Sequence, residues 1–103
     1  MLVLKDNSIK PEFSQGMLYG LIVADQVYDS LGIRETVVTS GKDGVHSSTS
    51  LHYSGNAVDL RTRDRTRQEQ EAIRDELRRR LNEHYDVVLE SDHLHLEYQP
   101  RSP

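Results

Sequence analysis

The sequence lacks cysteine, a long apolar run and a secretion-type start, and each of these features limits what the protein is. Without cysteine there are no disulfides or thiolate ligands, so a metal ion would be bound by histidine and carboxylate side chains. The most apolar run, residues 18–24, is far shorter than the ~20 residues that span a bilayer, so we expect no membrane insertion. No charged start followed by an apolar segment is visible, which predicts a cytoplasmic location.

The chain also lacks an excess of basic residues. It has 13 basic and 17 acidic side chains and a net charge of −4, and acidic residues interrupt its arginine clusters. This balance argues against a nucleic-acid backbone as partner. The length of 103 residues predicts one domain, residues 1–103, with a modest core, and we expect a monomer.

The pattern of apolar residues predicts both helices and strands. Helical periodicity over residues 17–31 predicts a helix with Ser14 as N-cap and Gly32 just past its end. Thr66 and Glu69 have the spacing of a capping box at the start of a second helix. Strands are predicted at residues 35–40, 57–62, 86–90 and 93–98, with a short strand or arm near the start. The order predicts an α+β domain: two helices packed on one face of a small, mostly antiparallel sheet.

Histidines and carboxylates are predicted to share the other face of that sheet. Because side chains alternate along a strand, His93, His95 and Glu97 point to one face and the intervening leucines to the other. Asp59 likewise lies on the polar face of its own strand. If the two strands are close neighbours, Asp59 and His95 converge, and His52 reaches them from the loop before.

Two imidazoles and one carboxylate, from His52, His95 and Asp59, are the ligand set expected of a catalytic zinc site with a fourth position for water. Magnesium or calcium would favour more carboxylates. Zinc would lower the pKa of its water toward ~7 and polarise a carbonyl. Asp92 is then the best candidate for the general base, and Glu97 and Glu90 are weaker candidates. The same residues also fit surface histidines in structural hydrogen bonds, and spacing alone leaves both interpretations open.

Two motifs resemble those of a known enzyme family. The pattern S-x-H-x-x-G-x-A-x-D is filled by Ser50, His52, Gly55, Ala57 and Asp59. It resembles the first motif of the D-Ala-D-Ala carboxypeptidase and L-alanyl-D-glutamate endopeptidase family, zinc peptidases that act on peptidoglycan peptides. Asp92 and His95 match the second motif, a carboxylate three residues before a histidine. The wider superfamily, with lysostaphin-type endopeptidases and the hedgehog signalling domain, carries the His-x-His that His93 begins. The resemblance covers residues 37–98.

The resemblance implies a fold, a cofactor and a role for each motif residue. It implies a hedgehog/DD-peptidase-like fold in which His52, Asp59 and His95 bind Zn²⁺. Asp92 would be the general base, and His93 would stabilise the oxyanion or orient the water. The implied function is hydrolysis of peptide bonds in peptidoglycan stems or cross-links, as in a phage endolysin that degrades the cell wall.

The chain departs from the family pattern at its substrate-binding residues. Many members carry an arginine shortly after "TSG", where this chain has Lys42, which replaces the charge but not the bidentate fork. Arg61, on the strand face of Asp59, is the alternative substitute. Ser50 and His46 complete the predicted substrate-binding residues. Whether the enzyme is an exo- or an endopeptidase stays open.

Two alternatives belong to other functional classes. The first is a zinc-bearing binding module of the same fold with little or no turnover, as in the hedgehog domain, and a missing base would favour it. The second is a phage structural or assembly protein that keeps the fold. Self-association at working concentrations would indicate the second alternative, since we expect the peptidase to be a monomer.

Overall fold

The computed structural model describes residues 1–41 and 55–100. In chain order their elements are β1 (Leu2–Leu4), α1 (Gln15–Ser30), β2 (Thr36–Ser40), β3 (Ala57–Arg61), α2 (Arg67–Arg80), β4 (Tyr85–Leu89) and β5 (His93–Tyr98). The strands form one mixed sheet in the order β1-β2-β3-β5-β4, in which β1 and β2 are parallel and the other described pairs antiparallel. The predicted α+β class is therefore confirmed. Within these residues, no helix has the length and apolar character needed to cross a membrane.

Local side-chain chemistry sets the helix ends. The Ser14 hydroxyl accepts a hydrogen bond from the backbone N–H of Met17 at 3.1 Å, which satisfies a donor that α1 leaves unpaired. Gly32 follows the other end of α1 with a φ of 77°, a left-handed conformation that glycine adopts without steric cost. At the start of α2, the Thr66 hydroxyl accepts from the Glu69 N–H, and the Glu69 carboxylate accepts from the Thr66 N–H. Both predicted N-caps are present.

Both helices pack on the apolar face of the sheet, and this packing forms the core. Helix α1 contributes a stripe of buried, mostly apolar side chains at helical spacing, and α2 contributes a shorter stripe of the same kind. The sheet contributes alternate residues of its central strands. Fully buried side chains of this core include Met17, Leu21, Tyr28, Val58, Leu60, Ile73, Leu77, Leu94 and Leu96. Because one face is covered in this way, the alternate residues of β3 and β5 are left on the opposite face.

Two long-range contacts fix the strands that border this polar face. The hydroxyl of Tyr28 on α1 donates to the carbonyl of Arg61 at 3.1 Å, which ties the end of β3 to the core. Beyond β1, the backbone N–H of Lys5 donates to the carbonyl of Val38 at 2.9 Å. Parallel pairing of β1 with β2 thus places Lys5 beside β2, one strand away from β3, and α1 is the crossover that this pairing requires.

Candidate metal centre

The register of β3 against β5 brings the predicted site residues together. Asp59 lies directly opposite His95, and Arg61 lies directly opposite His93. Directly opposed residues of antiparallel strands project to the same face with Cβ atoms about 5 Å apart. Leu60 and Leu94, the next opposed pair, are fully buried on the other face. The convergence expected for Asp59 and His95 is therefore present.

His95 contacts one carboxylate through each ring nitrogen. Its Nδ1 lies 3.0 Å from Oδ1 of Asp59, and its Nε2 lies 2.8 Å from Oε1 of Glu97. The hydrogen bond to Asp59 raises the pKa of His95 to about 9, with a further contribution from Glu97, against the opposing effect of partial burial. In the metal-free protein, the imidazolium thus bridges two carboxylates.

The donor atoms of Asp59 and His95 fit a shared zinc ion. Zinc bonds of about 2.0–2.2 Å at a tetrahedral angle place neighbouring donor atoms about 3.3 Å apart. Nδ1 of His95 and Oδ1 of Asp59 are 3.0 Å apart, close to this separation, so the two side chains could serve as neighbouring ligands of one zinc ion. Metal-bound histidines usually donate the other ring N–H to a carboxylate, and Glu97 accepts in that position. If the site holds zinc, this arrangement leaves Nδ1 of His95 as the nitrogen that would bind it.

Glu97 was weighed in the sequence only as a weaker candidate for the base. The structure instead gives it contact with the imidazole of His95, with its side chain 22% exposed. The signal in the sequence was the spacing of two between His95 and Glu97, which puts both side chains on one strand face. That spacing does not reveal which ring nitrogen is contacted.

Asp92 and His93 form a second pair at the same edge of the site. Nδ1 of His93 lies 2.7 Å from Oδ1 of Asp92, and its Nε2 lies 3.7 Å from Oδ1 of Asp59. The Asp92 side chain is 68% exposed, and its hydrogen bond with His93 lowers the pKa of that carboxyl. His93 therefore lies between the candidate base and the candidate ligand Asp59.

The glycine of the first motif fixes where β3 begins. Gly55 has a φ of 76°, and its carbonyl accepts a hydrogen bond from the N–H of Ser14 at 3.0 Å. A Cβ at this position would lie 2.6 Å from the carbonyl oxygen of Glu12. Ala57, two residues on, is fully buried. Gly55 thus anchors the chain to the start of α1 immediately before the strand that carries Asp59.

The remaining predicted site residues, Lys42, His46, Ser50 and His52, lie outside the described residues. Among residues 1–41 and 55–100, no group of three or more His, Cys, Asp or Glu side chains is arranged to hold a metal ion. The described part of the chain therefore contains two of the three predicted zinc ligands, Asp59 and His95.

Two cavities lie near these residues, and the smaller one contains the site chemistry. A cavity of about 160 Å³ is lined by Asp59, Arg61, Asp92 and His93, together with Thr39 and two further basic residues. An open groove of about 440 Å³ follows the edge strand β4, and Glu97 is the one site residue in its lining. The smaller cavity is the one lined by both the candidate ligand Asp59 and the candidate base Asp92.

Comparison with known proteins gives no independent assignment. No family model matches the chain. No curated protein matches it at a significant level. The hypothesis of a metal centre therefore depends on the motif residues and on the side-chain contacts described above.

Proposed function

We propose that the protein is a zinc-dependent peptidase that hydrolyses peptide bonds in the stems or cross-links of bacterial peptidoglycan. The observation that carries the proposal is the contact of Asp59 with His95, whose donor atoms lie 3.0 Å apart on the polar sheet face. Glu97 on the other ring nitrogen adds the carboxylate that commonly orients a metal-bound histidine. We also propose His52 as the third ligand and a hedgehog/DD-peptidase-like architecture, on the strength of the motifs.

Each residue of the site has a separate role in the proposed reaction. Zinc, when bound, supplies a water of lowered pKa and a positive centre that polarises the substrate carbonyl. Asp92 accepts the proton of the attacking water and passes it to the leaving amine. To do so, its carboxylate must exchange its hydrogen bond with His93 for one with the water. The released His93 then faces the cavity as a donor for the developing oxyanion. Lys42 or Arg61 binds the substrate in place of the family's arginine.

One observation favours the alternative of a zinc-binding module with little turnover. The carboxylate of Asp92 is held by His93 at 2.7 Å, and this hydrogen bond lowers the pKa of Asp92, which makes the carboxylate a weaker base. If that contact persists with zinc bound, the site keeps its metal and loses its base. The two proposals therefore share a metal centre and differ in what Asp92 does.

The test measures metal content and hydrolysis on the same preparations. We expect about one zinc per chain by elemental analysis, with binding lost in Asp59→Ala and His95→Ala. His84→Ala, a histidine just before β4, is the matched control and should retain zinc. Incubation of the zinc-loaded protein with purified peptidoglycan should release fragments whose new amino termini identify the bond by mass spectrometry. A protein that binds no zinc at neutral pH contradicts both proposals, and one that binds zinc but releases no fragment favours the binding module.

A further inference from the structure

The edge strand β4 has a side chain bonded to its outward backbone groups. The hydrogen bond from the Glu90 N–H to the His93 carbonyl sets the alternation along β4, so the carbonyl of Val87 faces away from β5. The guanidinium of Arg78 on α2 donates to that carbonyl from Nε at 3.1 Å and from Nη2 at 2.7 Å. Arg78 thus covers the middle of this edge and obstructs the pairing of a further strand.

The opposite edge, formed by β1, has backbone groups that point outward without such a cover. The carbonyl of Met1 and the N–H of Lys5 both bond to β2. Because backbone groups alternate sides along a strand, the N–H and C=O of Leu2 and Leu4 point away from β2. Among residues 1–41 and 55–100, no strand pairs with these groups. The edge of β1 is therefore a template for strand pairing.

The side chains of β1 make this edge apolar. Leu2 and Leu4 lie on the helix side of the sheet, where their β2 neighbours Thr36 and Val38 are fully buried, yet both leucines remain exposed. Lys5, the first charged residue after the strand, lines the smaller cavity on the polar face. A lysine on an edge strand can block pairing, but this one lies away from the leucines.

Helix α1 extends the apolar surface of this edge. The Thr36 hydroxyl donates to Asp25 at 2.8 Å, which places that side of α1 over the start of β2. Ile22 and Leu18 precede Asp25 by one and two helical turns, so they lie along the same side of the helix. We call four side chains, each between 38% and 56% exposed, the edge patch: Leu2, Leu4, Leu18 and Ile22. Contiguous exposed apolar side chains of this kind mark interaction surfaces.

The outward groups of β1 are self-complementary in an antiparallel register. Leu2 and Leu4 are placed symmetrically about Val3, so a second copy of β1 that runs antiparallel puts each Leu2 opposite Leu4 of the other copy. Each such pair can exchange both of its N–H···O=C hydrogen bonds, with Val3 on the two-fold axis. The leucine side chains then meet across the seam on the helix side of the sheet.

The charges at the two ends of β1 are also complementary. The nitrogen of Met1 donates to the Arg34 carbonyl at 2.8 Å, which places Arg34 beside the start of β1. Asp6 follows the other end of the strand, and both charged residues are exposed. Antiparallel pairing brings the start of one β1 beside the end of the other. Arg34 of each copy therefore faces Asp6 of the other copy, at both ends of the seam.

We propose that the protein forms a two-fold dimer in which the β1 strands of two copies pair antiparallel and join the two sheets into one. A seam of three residues per copy, with α1 side chains above it, is smaller than the ~800 Å² per partner of a standard interface, so we expect a Kd in the micromolar range. The dimer replaces the monomer expected from the sequence. It leaves the polar face of β3 and β5 open, so it is compatible with the proposed peptidase and does not depend on it.

The proposed pairing closes at two copies. It uses the β1 edge of both, so the outer edges of the joined sheet are the two β4 strands, which Arg78 covers. An assembly protein would instead form open-ended species, so the number of copies distinguishes the dimer from that alternative.

The experiment measures self-association and locates the edge responsible. Sedimentation velocity over a concentration series gives the Kd, with and without zinc. Amide hydrogen exchange followed by NMR over the same series reports on the backbone. We expect the amides of Leu2 and Leu4 to become protected as the dimer forms, while the outward amide of Val87 on β4 does not change.

Two substitutions in β1 test the seam. Leu4→Pro removes an outward N–H and keeps the bonds to β2, since proline is tolerated on an edge strand where the N–H faces solvent. It acts once in each copy, so we expect the Kd to rise ~10–100-fold. Leu2→Lys puts a charge on the edge patch and should weaken the dimer as well. Val88→Lys, which changes an exposed apolar residue of β4, is the matched control and should leave the Kd unchanged.

A pair of charge reversals tests the register. Arg34→Glu and Asp6→Lys should each weaken the dimer, because each places like charges at both ends of the seam. A mixture of the two variants should associate more tightly than either alone, because the mixed dimer has opposite charges at both ends. Both residues are exposed, so these variants are expected to fold even if Leu4→Pro does not.

The outcomes separate this dimer from the peptidase. A protein that stays monomeric at ~1 mM overturns the dimer. A dimer whose Kd is unchanged in both Leu4→Pro and Leu2→Lys overturns the β1 seam, and species larger than two copies overturn its closure. A mixture of the charge variants that associates no better than either alone overturns the register. Each of these results leaves zinc binding and hydrolysis, which are measured separately, in place.

Discussion

Glu97 provides the sharpest test of how His95 is used. The 2.8 Å contact of its carboxylate with Nε2 leaves Nδ1 of His95 directed at Asp59, 3.0 Å away. If Nδ1 is the zinc ligand, Glu97 both orients the ring and increases its basicity. Loss of such an outer carboxylate typically weakens metal binding ~10–100-fold. Tenfold corresponds to about 1.4 kcal/mol, so the range is about 1.4–2.7 kcal/mol.

Two substitutions divide this effect into its parts. Glu97→Gln keeps an oxygen acceptor at Nε2 and removes the charge, so we expect zinc affinity to fall about tenfold. Glu97→Ala removes both, and we expect a fall nearer to a hundredfold. Glu90→Gln, which changes an exposed glutamate in the β4–β5 turn, is the matched control. Zinc affinity is measured by competition with a chromophoric chelator at fixed pH.

A specific result would refute the assignment of the ligating atom. If His95 bound zinc through Nε2, the Glu97 carboxylate would compete with the metal for that nitrogen. Its removal would then leave zinc affinity unchanged or increase it. Circular dichroism on each variant checks that a fall in affinity does not come from unfolding.

Three further predictions concern the base, the protonation of the site and the motif glycine. Asp92→Asn should keep zinc and lower kcat ~10²–10⁴-fold with little change in KM, and His93→Ala should lower kcat less. A large fall in kcat in His93→Ala alone would transfer the role of base to His93. In zinc-free protein the pKa of His95 is raised from 6.5 to about 9, so its contribution to stability is complete below pH ~6.5 and is lost as pH rises through about 9. Thermal unfolding across that range should show the decline in wild type and not in His95→Asn, whereas zinc affinity should rise over the same range as the competing proton leaves. Gly55→Ala should lower the free energy of unfolding, measured in urea, by more than the ~1–2 kcal/mol that a left-handed alanine costs, because the added Cβ would lie 2.6 Å from a backbone carbonyl oxygen. Gly32→Ala is the control: its added Cβ has no atom within 4 Å, so only the conformational cost should appear.

Helix ends and strand faces were predictable because they depend on neighbours in the sequence. The N-caps at Ser14 and Thr66 act within one helical turn, so the residues that carry the signal also carry the contact. Alternation along β5 likewise puts His93 and His95 on one face whatever the strand pairs with. Burial of the leucines then selects which face is polar. The zinc hypothesis used these local rules and the motif residues, together with the assumption that β3 and β5 are close neighbours.

The tertiary structure alone decided which side chains meet. Asp59 and His95 are 36 residues apart, and their contact depends on the register of β3 against β5, which the whole packed core selects. The position of Lys5 is likewise set by the fold, because β1 pairs in parallel with the edge of β2 that faces away from β3 and so brings Lys5 to the cavity. The burial of the Arg61 Nε, which has no hydrogen-bond partner among residues 1–41 and 55–100, is also a property of its surroundings. The sequence determined which donor atoms are available for the site, because residue type and strand parity are local properties. The fold determined which of these atoms contact each other, because distances between segments far apart in the chain are set only when the core packs.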